Sequence, residues 1–163
     1  YNIAIIVCEK AVQWQHAFSL LRDVQVQALE PNLISHNSVG SACVKGERWE
    51  QALGIPAEMQ VNGLQPDIVS NNVRISACEK GAQWEQATML LVELRGQEAE
   101  PTLVSFSAAI SACGKGDNWR WASARLMEIR EQNLELDVIC CSTVITAYEQ
   151  GDHWERSLET LAR

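Results

Sequence analysis

The chain has 163 residues, of which 47% are hydrophobic, and this share is typical of a folded chain rather than of a disordered acidic tail. No apolar run reaches the about 18 residues that a membrane-spanning helix requires, which excludes a membrane protein of that kind. The 13 Lys and Arg against 21 Asp and Glu leave a formal charge of -8. Taken alone, this charge argues against a nucleic-acid partner, because phosphate attracts positive charge.

The sequence repeats with a period of 35 residues, so the chain contains about 4.7 copies of one unit. Five of the six tryptophans, four cysteines, all four lysines and three prolines keep this spacing. The columns are Trp14, Trp49, Trp84, Trp119 and Trp154; Cys8, Cys43, Cys78 and Cys113; Lys10, Lys45, Lys80 and Lys115; and Pro31, Pro66 and Pro101. A period of this length is typical of stacked repeats, so we predict an array of repeats rather than one globule.

Each unit is predicted to hold two helices, and no strand pattern competes with them. Repeat 1 (residues 1–32) has a second-helix stripe at Trp14, Ala17, Phe18, Leu21 and Val24. Repeat 2 (33–67) carries Pro56 inside its second helix, with Gly54 close by, and we predict a kink or break around residues 54–56. Repeat 3 (68–102) has a second-helix stripe at Trp84, Ala87, Leu91 and Leu94, and Arg74 in an otherwise apolar column.

The last two repeats show the first-helix stripe most clearly. Repeat 4 (103–137) has Phe106, Ala109, Ile110 and Cys113 at i, i+3, i+4 and i+7, and repeat 5 (138–163) has Cys141, Val144, Ile145 and Tyr148. A glycine follows the first helix in four repeats and is predicted to stop it, namely Gly46, Gly81, Gly116 and Gly151. The cysteine and tryptophan columns are predicted to be core residues.

The unit resembles the pentatricopeptide repeat family over essentially the whole chain. The matching features are YN-x-x-I in the first helix, as at residues 1–5, C-x-K-G at the turn, and a terminal Pro-Asp, as at Pro66-Asp67. The third repeat, SNNVRISACEKGAQWEQATMLLVELRGQEAEPT, shows the unit with Pro-Thr at its end. The tetratricopeptide family differs by its 34-residue period and its W-x-x-L-G-x-x-Y pattern, which is absent here. The resemblance implies an all-α fold, a right-handed α-solenoid of stacked helix–turn–helix repeats.

The resemblance also implies that the protein binds single-stranded RNA and reads one base per repeat. By likeness to the family, the base-reading residues are the fifth and the last of each repeat: Asn2, Asn37, Asn72, Ser107 and Ser142, with Asn32, Asp67, Thr102 and Asp137. The base-flanking residues are the second of each repeat: Ile34, Val69, Val104 and Ile139. Asn and Ser also cap helices, but Ser35, Ser70 and Ser105 are predicted to take that role here.

The lysine column is assigned to the RNA phosphates by the same resemblance. Lys10, Lys45, Lys80 and Lys115 each lie eight residues after a fifth-position reader and so share roughly its helix face. A helix C-terminus also favours a lysine without any ligand. Four phosphate contacts predict a log–log salt slope near about -3. Sorted by column, the first-helix segments are slightly positive and the acidic residues collect on the second helices and linkers, so the composition argument weakens.

The family's pairing rules, where they carry over, read the RNA as 5′-YUNG-3′. The function that follows is sequence-selective RNA binding in RNA processing, editing, stability or translation, in a chloroplast or mitochondrion and together with other proteins of an RNA-processing complex. A protein–protein interaction scaffold of the tetratricopeptide type is the alternative, and a filler segment within a longer array is the third possibility.

No motif for other chemistry stands out. The sequence has no C-x-x-C, no Gly-rich phosphate loop and no nucleophile elbow, and its three histidines fall in different columns. We therefore expect reduced cysteines, no metal site, no cofactor, no small-molecule substrate and no catalytic residue. The chain starts and stops within a repeat and looks like a piece of a longer array.

Overall fold

A computed structural model of the chain describes residues 1–27, 29, 31–96, 101–131 and 138–150. Over these residues it consists of nine α-helices without a strand, which confirms the all-α prediction. The helices are α1 (Asn2–Lys10), α2 (Trp14–Val26), α3 (Leu33–Lys45), α4 (Trp49–Val61), α5 (Ile68–Lys80), α6 (Trp84–Gly96), α7 (Leu103–Lys115), α8 (Trp119–Glu131) and α9 (Val138–Gln150). Four of them begin at the first residue of a predicted repeat; the repeat boundaries themselves stay a prediction.

The chain divides into two compact units, residues 1–77 and 78–163. In the first unit α1 packs against both α2 and α3, and α3 packs against α2 and α4. These four helices share one cluster of buried apolar side chains, which includes Ile5, Leu21, Val39, Ile55 and Met59. Each hairpin therefore buries its apolar stripe against the next one, as in a stacked-repeat protein.

The second unit repeats this arrangement, with α7 packed against α6, α8 and α9. The predicted stripe of α7 is buried at all four positions, Phe106, Ala109, Ile110 and Cys113. Val144 and Tyr148 of α9 are buried as predicted, and the Tyr148 ring lies 5.9 Å from that of Trp119. These contacts confirm that first helices carry a core-facing stripe.

The turns between the paired helices follow one geometry, and glycine is not the residue that reverses the chain. The residues after the helix, Val12, Glu47, Ala82 and Asp117, have φ between 51° and 59°, whereas Gly46 and Gly116 have φ of -84° and -91°. The following amide bonds back to the cysteine column, as from Arg48 N to Cys43 O at 2.8 Å. This is the Schellman pattern, with an ordinary side chain in the left-handed position.

The turn glycines are required by packing instead. A Cβ built on Gly46 would lie 2.6 Å from Cδ1 of Trp14, in the preceding repeat, and one built on Gly116 would overlap Trp84 in the same way. Real Cβ atoms do not approach this closely, so the tryptophan ring lies directly on the glycine. The four described tryptophans of this column, Trp14, Trp49, Trp84 and Trp119, are half-buried rather than fully buried, which corrects the core prediction for them. Arg48 covers Trp14, with Cζ 5.1 Å from the ring centre.

Helix α4 is continuous from Trp49 to Val61, so the predicted break around residues 54–56 is wrong. Pro56 lacks the N–H that would bond to the carbonyl of Ala52, but it lies buried with Ala52, Ile55 and Met59. Helices in proteins are held chiefly by burial of one face, and this burial keeps the segment helical despite the missing bond.

Three cysteines of the column, Cys43, Cys78 and Cys113, are buried as predicted, whereas Cys8 is half-buried. Five cysteines are free thiols, namely Cys8, Cys43, Cys78, Cys113 and Cys141. Burial raises the pKa of both Cys43 and Cys113 to about 11, so both thiols are protonated at neutral pH. The thiolate is the reactive form, and these positions therefore act as small apolar side chains.

We predict that Gly46→Ala lowers the free energy of unfolding by about 1–3 kcal/mol, because its methyl group must displace the Trp14 ring. Gly54→Ala is the matched control, since a methyl group there meets no atom within 4 Å. That control should raise the free energy of unfolding by about 0.5–1 kcal/mol through better helix propensity. Urea unfolding followed by circular dichroism measures both values, and effects of the same sign would contradict the packing argument.

We also predict slow alkylation of Cys43 and Cys113 in the folded protein at pH 8, compared with the half-buried Cys8 and Cys141. Iodoacetamide labelling followed by peptide mass spectrometry measures the four rates separately. In urea the four rates should converge, since burial alone separates them. A Cys43 rate equal to that of Cys8 before unfolding would show that the first-helix stripe is open to solvent.

Candidate nucleic-acid interface

The N-caps of α3 and α7 are the last residues of the preceding repeats. Asn32 is the N-cap of α3, where its Oδ1 accepts hydrogen bonds from Ser35 N and Ser35 Oγ, both at 2.9 Å. Thr102 caps α7 and forms a capping box with Ser105. The serines lie one turn inside their helices and are buried, so the prediction that Ser35, Ser70 and Ser105 are the caps is wrong. The last-residue column both caps the helix and holds a candidate reader.

The two predicted readers of repeat 2 are hydrogen-bonded to each other. Asn37 Nδ2 donates to Asp67 Oδ1 at 3.2 Å, and Ser70 Oγ lies 2.8 Å from both Asn37 Oδ1 and Asp67 Oδ1. Asp67 Oδ1 also accepts from Ser70 N at 2.8 Å. A buried serine hydroxyl thus connects the fifth and last columns and holds them side by side.

The readers of repeat 1 are joined in the same way. Ser35 Oγ lies 2.8 Å from Asn2 Oδ1 and 2.9 Å from Asn32 Oδ1. Because both amide oxygens face this hydroxyl, both NH2 groups point away from it; this amide orientation follows from the hydrogen-bond network. Sequence reasoning missed the serine's bridging role, although its position in the 35-residue register was visible.

The remaining readers are described less completely. Thr102 Oγ1 lies 3.1 Å from Ser105 Oγ, and Ser107 Oγ donates to the Val104 carbonyl at 3.1 Å. Asn72 is partly buried and Ser142 is exposed, and each has a further interaction within the structure. Asp137 and the side chain of Ile139 lie outside the described residues. The base-reading assignments therefore stay predictions, and their geometry is best defined in repeats 1 and 2.

The structure has a cavity of about 310 Å³ beside the Asn37–Asp67 pair. Ile34 and Val69, two predicted base-flanking residues, line it together with Leu33, Val73, Ser38, Ser41 and Glu9. Ile34, Val69 and Val104 are 57%, 49% and 60% exposed, so these side chains are accessible to a ligand. The cavity therefore combines stiff apolar walls with a small set of polar groups, the usual composition of a ligand site.

Asp67 is ionised over a wider pH range than an ordinary aspartate. Partial burial works to raise the pKa of Asp67, but hydrogen bonds from Ser70 and from the Asn37 amide outweigh it, and the pKa lies below its usual value. Its Oδ2 has no hydrogen-bond partner among the residues that the structure describes, and Asp67 lines the cavity, so an ionised acceptor remains at the cavity wall.

The four lysines of the predicted phosphate column have two different environments. Lys45 Nζ lies 2.9 Å from Glu9 Oε1, and Lys115 Nζ lies 3.0 Å from Glu79 Oε1. Lys10 and Lys80 are exposed and have no ion pair among the described residues. Each glutamate directly precedes a lysine of the column in the sequence but pairs with the lysine of the next repeat. The sequence analysis counted the charge of these glutamates without assigning them a role.

Two observations concern other functions. Within the described residues, no group of three or more His, Cys, Asp or Glu side chains is arranged to hold a metal ion. Over the same residues, no helix has the length and apolar character needed to cross a membrane.

We predict that Asp67→Asn makes stability less dependent on pH. Because the pKa of Asp67 is lower in the folded state, its ionised form stabilises the protein above the unfolded-state pKa, near about 3.9. This contribution is lost as the pH falls through the folded-state value. Asn keeps the cap, as at Asn32, so the variant should lose less stability than the wild type between pH 6 and pH 3 in urea titrations. Identical losses would contradict the assigned role of Asp67.

Comparisons with known proteins were made for both sequence and fold. The profile of the pentatricopeptide repeat domain matches residues 19–81 and 55–116, which together exceed half of the chain. No curated protein sequence matches.

Several solved structures share the fold. The pentatricopeptide repeat protein PPR10 bound to an 18-nt psaJ RNA element superposes with a TM-score of 0.85 at 19% identity, over 98% of this chain and 24% of that chain. A second structure of PPR10, from maize, gives a TM-score of 0.70 at 19% identity, over 99% of this chain and 23% of that chain. The pentatricopeptide repeat domain of Arabidopsis thaliana protein-only RNase P 1, in complex with tRNA, gives 0.83 at 13% identity, over 98% and 84%.

The chain thus spans about a quarter of the length of PPR10. The fold matches confirm the α-solenoid of helical hairpins that the sequence predicts. Together with the profile match over more than half of its residues, they show that the chain belongs to the pentatricopeptide repeat family.

Proposed function

We propose that this protein binds single-stranded RNA and contacts one base per repeat at the cap junctions. The observation that carries the proposal is the Asn37–Asp67 pair, held by Ser70 at the edge of a cavity whose walls include Ile34 and Val69. Single-stranded RNA offers unstacked bases whose faces suit apolar walls and whose edges suit fixed polar groups. The RNA complexes of fold relatives support this proposal.

The atoms left over after capping support the proposed base preferences. In repeat 2, Asp67 presents the acceptor Oδ2 beside the Asn37 amide donor. Uracil matches this pair, because its N3–H donates and its carbonyl oxygens accept. In repeat 1, the oxygens of Asn2 and Asn32 face Ser35, so two NH2 donors remain. Cytosine matches them, because its N3 and O2 both accept. These preferences agree with the first two positions of 5′-YUNG-3′.

The wider role follows from the same proposal. We place the protein in RNA processing, editing, stability or translation in a mitochondrion or chloroplast, with other proteins of the processing complex as partners. We propose that it acts by binding and carries no catalytic residues of its own. If the chain binds no RNA, the alternative function is a scaffold for protein–protein interactions.

We predict that the 163-residue chain binds a YUNG-containing oligonucleotide more tightly than one in which G and U are exchanged. Fluorescence anisotropy at low salt measures the two dissociation constants. The exchange introduces two mismatched positions, and each is expected to cost about 1 kcal/mol or more, which makes a difference of at least about thirtyfold. Equal affinities would contradict base reading, and no binding to any RNA pool would contradict RNA binding itself.

We also predict that Asp67→Asn changes the preference at the second position from U towards C, because the free acceptor becomes an amide donor. Glu50→Gln is the matched control, since it removes one charge from an exposed site in the first turn of α4. The measurement is the ratio of affinities for oligonucleotides that differ only at that base. An unchanged ratio would remove Asp67 from the set of readers.

A further inference from the structure

The carboxylates of Glu9 and Glu79 occupy the same place in two repeats. Ser41 Oγ donates to Glu9 Oε1 at 2.8 Å and Lys45 Nζ approaches the same oxygen at 2.9 Å. In the second unit Ser111 Oγ and Lys115 Nζ both lie 3.0 Å from Glu79 Oε1. The two triads are built from the same columns, 70 residues apart, so the arrangement is a recurrent feature of the repeat.

Helix stability does not explain these glutamates. Glu9 is in the last turn of α1 and Glu79 is in the last turn of α5. The helix dipole disfavours a carboxylate there by about 0.3–1 kcal/mol. The carboxylate nevertheless stays ionised: partial burial works to raise the pKa of Glu9, but hydrogen bonds from Lys45 and Ser41 hold it below the usual value. Lys45 is therefore already paired with an ionised carboxylate of its own chain, that of Glu9.

Glu9 also faces the ligand side, because it lines the cavity that holds Asn37 and Asp67. An oxygen that accepts from a serine hydroxyl and a lysine ammonium resembles a phosphate oxygen in charge and geometry. An RNA phosphate that approaches Lys45 must therefore displace the carboxylate or share the lysine with it. The glutamate position is not acidic throughout: Val44 precedes Lys45 and Gly114 precedes Lys115.

We propose that Glu9 and Glu79 act as built-in competitors of the RNA phosphate, which hold Lys45 and Lys115, whereas Lys80, for which Val44 occupies the glutamate position, is left to contact a phosphate. The inference rests on the proposed RNA binding and deepens it. Both pairs are partly exposed, with 46% and 45% of the lysine side chains accessible. Exposed pairs of this kind contribute about 0.2–1 kcal/mol, so the competition tunes affinity without abolishing binding.

The salt dependence of RNA binding gives the sharpest test. A lysine that stays paired with a carboxylate neutralises no RNA phosphate and therefore releases no counterion from the RNA. In the 163-residue chain the unpaired lysines are Lys10 and Lys80, so we expect two phosphate contacts and a log–log slope of about -1.4, instead of about -2.8 for four contacts. The double variant Glu9→Gln and Glu79→Gln should steepen the slope towards about -2.8 and tighten low-salt binding about twofold to twentyfold. Gln keeps an oxygen that accepts from the serine hydroxyl, and thermal unfolding checks that the variant is folded.

Matched charge controls are Glu50→Gln and Glu85→Gln, which remove the same two charges from exposed first turns of α4 and α6. They should leave the slope unchanged. A slope near -2.8 already in the wild type, or one that both pairs of variants alter equally, would overturn the inference while RNA binding stands. A wild type that binds no RNA would overturn the proposed function as well, so the two failures are distinguishable.

A double-mutant comparison isolates the competition at one site. Lys45→Ala should change RNA affinity less than about twofold in the wild type but several-fold in the Glu9→Gln background, where the lysine is released. Lys80→Ala should weaken binding several-fold in both backgrounds. Equal effects of Lys45→Ala and Lys80→Ala in the wild type would show that Glu9 does not restrain Lys45.

Discussion

The hydrogen bond that starts each first helix is the constraint on which the proposed interface depends. At Asn32 and Asp67 one side-chain oxygen satisfies an amide that the helix leaves unpaired, and the same oxygen accepts from a buried serine. Only the second polar atom of each side chain remains for a ligand. The fold therefore selects which hydrogen-bonding character remains at this junction, and a donor or an acceptor is left according to whether the cap is Asn or Asp. Stability and recognition share atoms at this junction.

Electrostatics in this protein is organised at the scale of one residue pair rather than of the whole chain. The net charge of -8 describes a surface on which the acids lie mostly on second helices and linkers. The exceptions are glutamates such as Glu9, which faces the cavity and is matched by a lysine of the next repeat. Because screening limits exposed charges to about 10 Å, these local pairs determine what an approaching phosphate meets more than the total charge does.

The period and the apolar stripes were enough to predict the helices, since residues such as Phe106 and Ile110 must share the buried face. The same reasoning assigned the cap to Ser35 instead of Asn32. Periodicity shows that a helix is present, but it does not show which of several neighbouring polar residues is the last one before the helix. That reasoning also assigned Gly46 to stopping the first helix, and α3 does end just before it; the left-handed residue is Glu47, and the glycine is needed for a ring from another repeat. Pro56 was expected to interrupt α4, and tertiary burial, which a local propensity does not contain, keeps it helical. The readers of repeats 1 and 2 were chosen by family likeness; their bridging serines appear only in three dimensions.

The contact between Trp14 and Gly46 has a consequence for how such arrays change by duplication and recombination. The ring and the hole it fills belong to different repeats, as do Trp84 and the matching Gly116. A repeat moved into a new neighbourhood brings a tryptophan that requires a glycine in the following unit, and a glycine that leaves a gap unless a tryptophan precedes it. One repeat can therefore replace another only where its neighbours supply the matching tryptophan and glycine. The segment that must be exchanged together is thus longer than one 35-residue repeat. The residues that we propose to contact bases lie at other positions of the repeat, so this match does not restrict them.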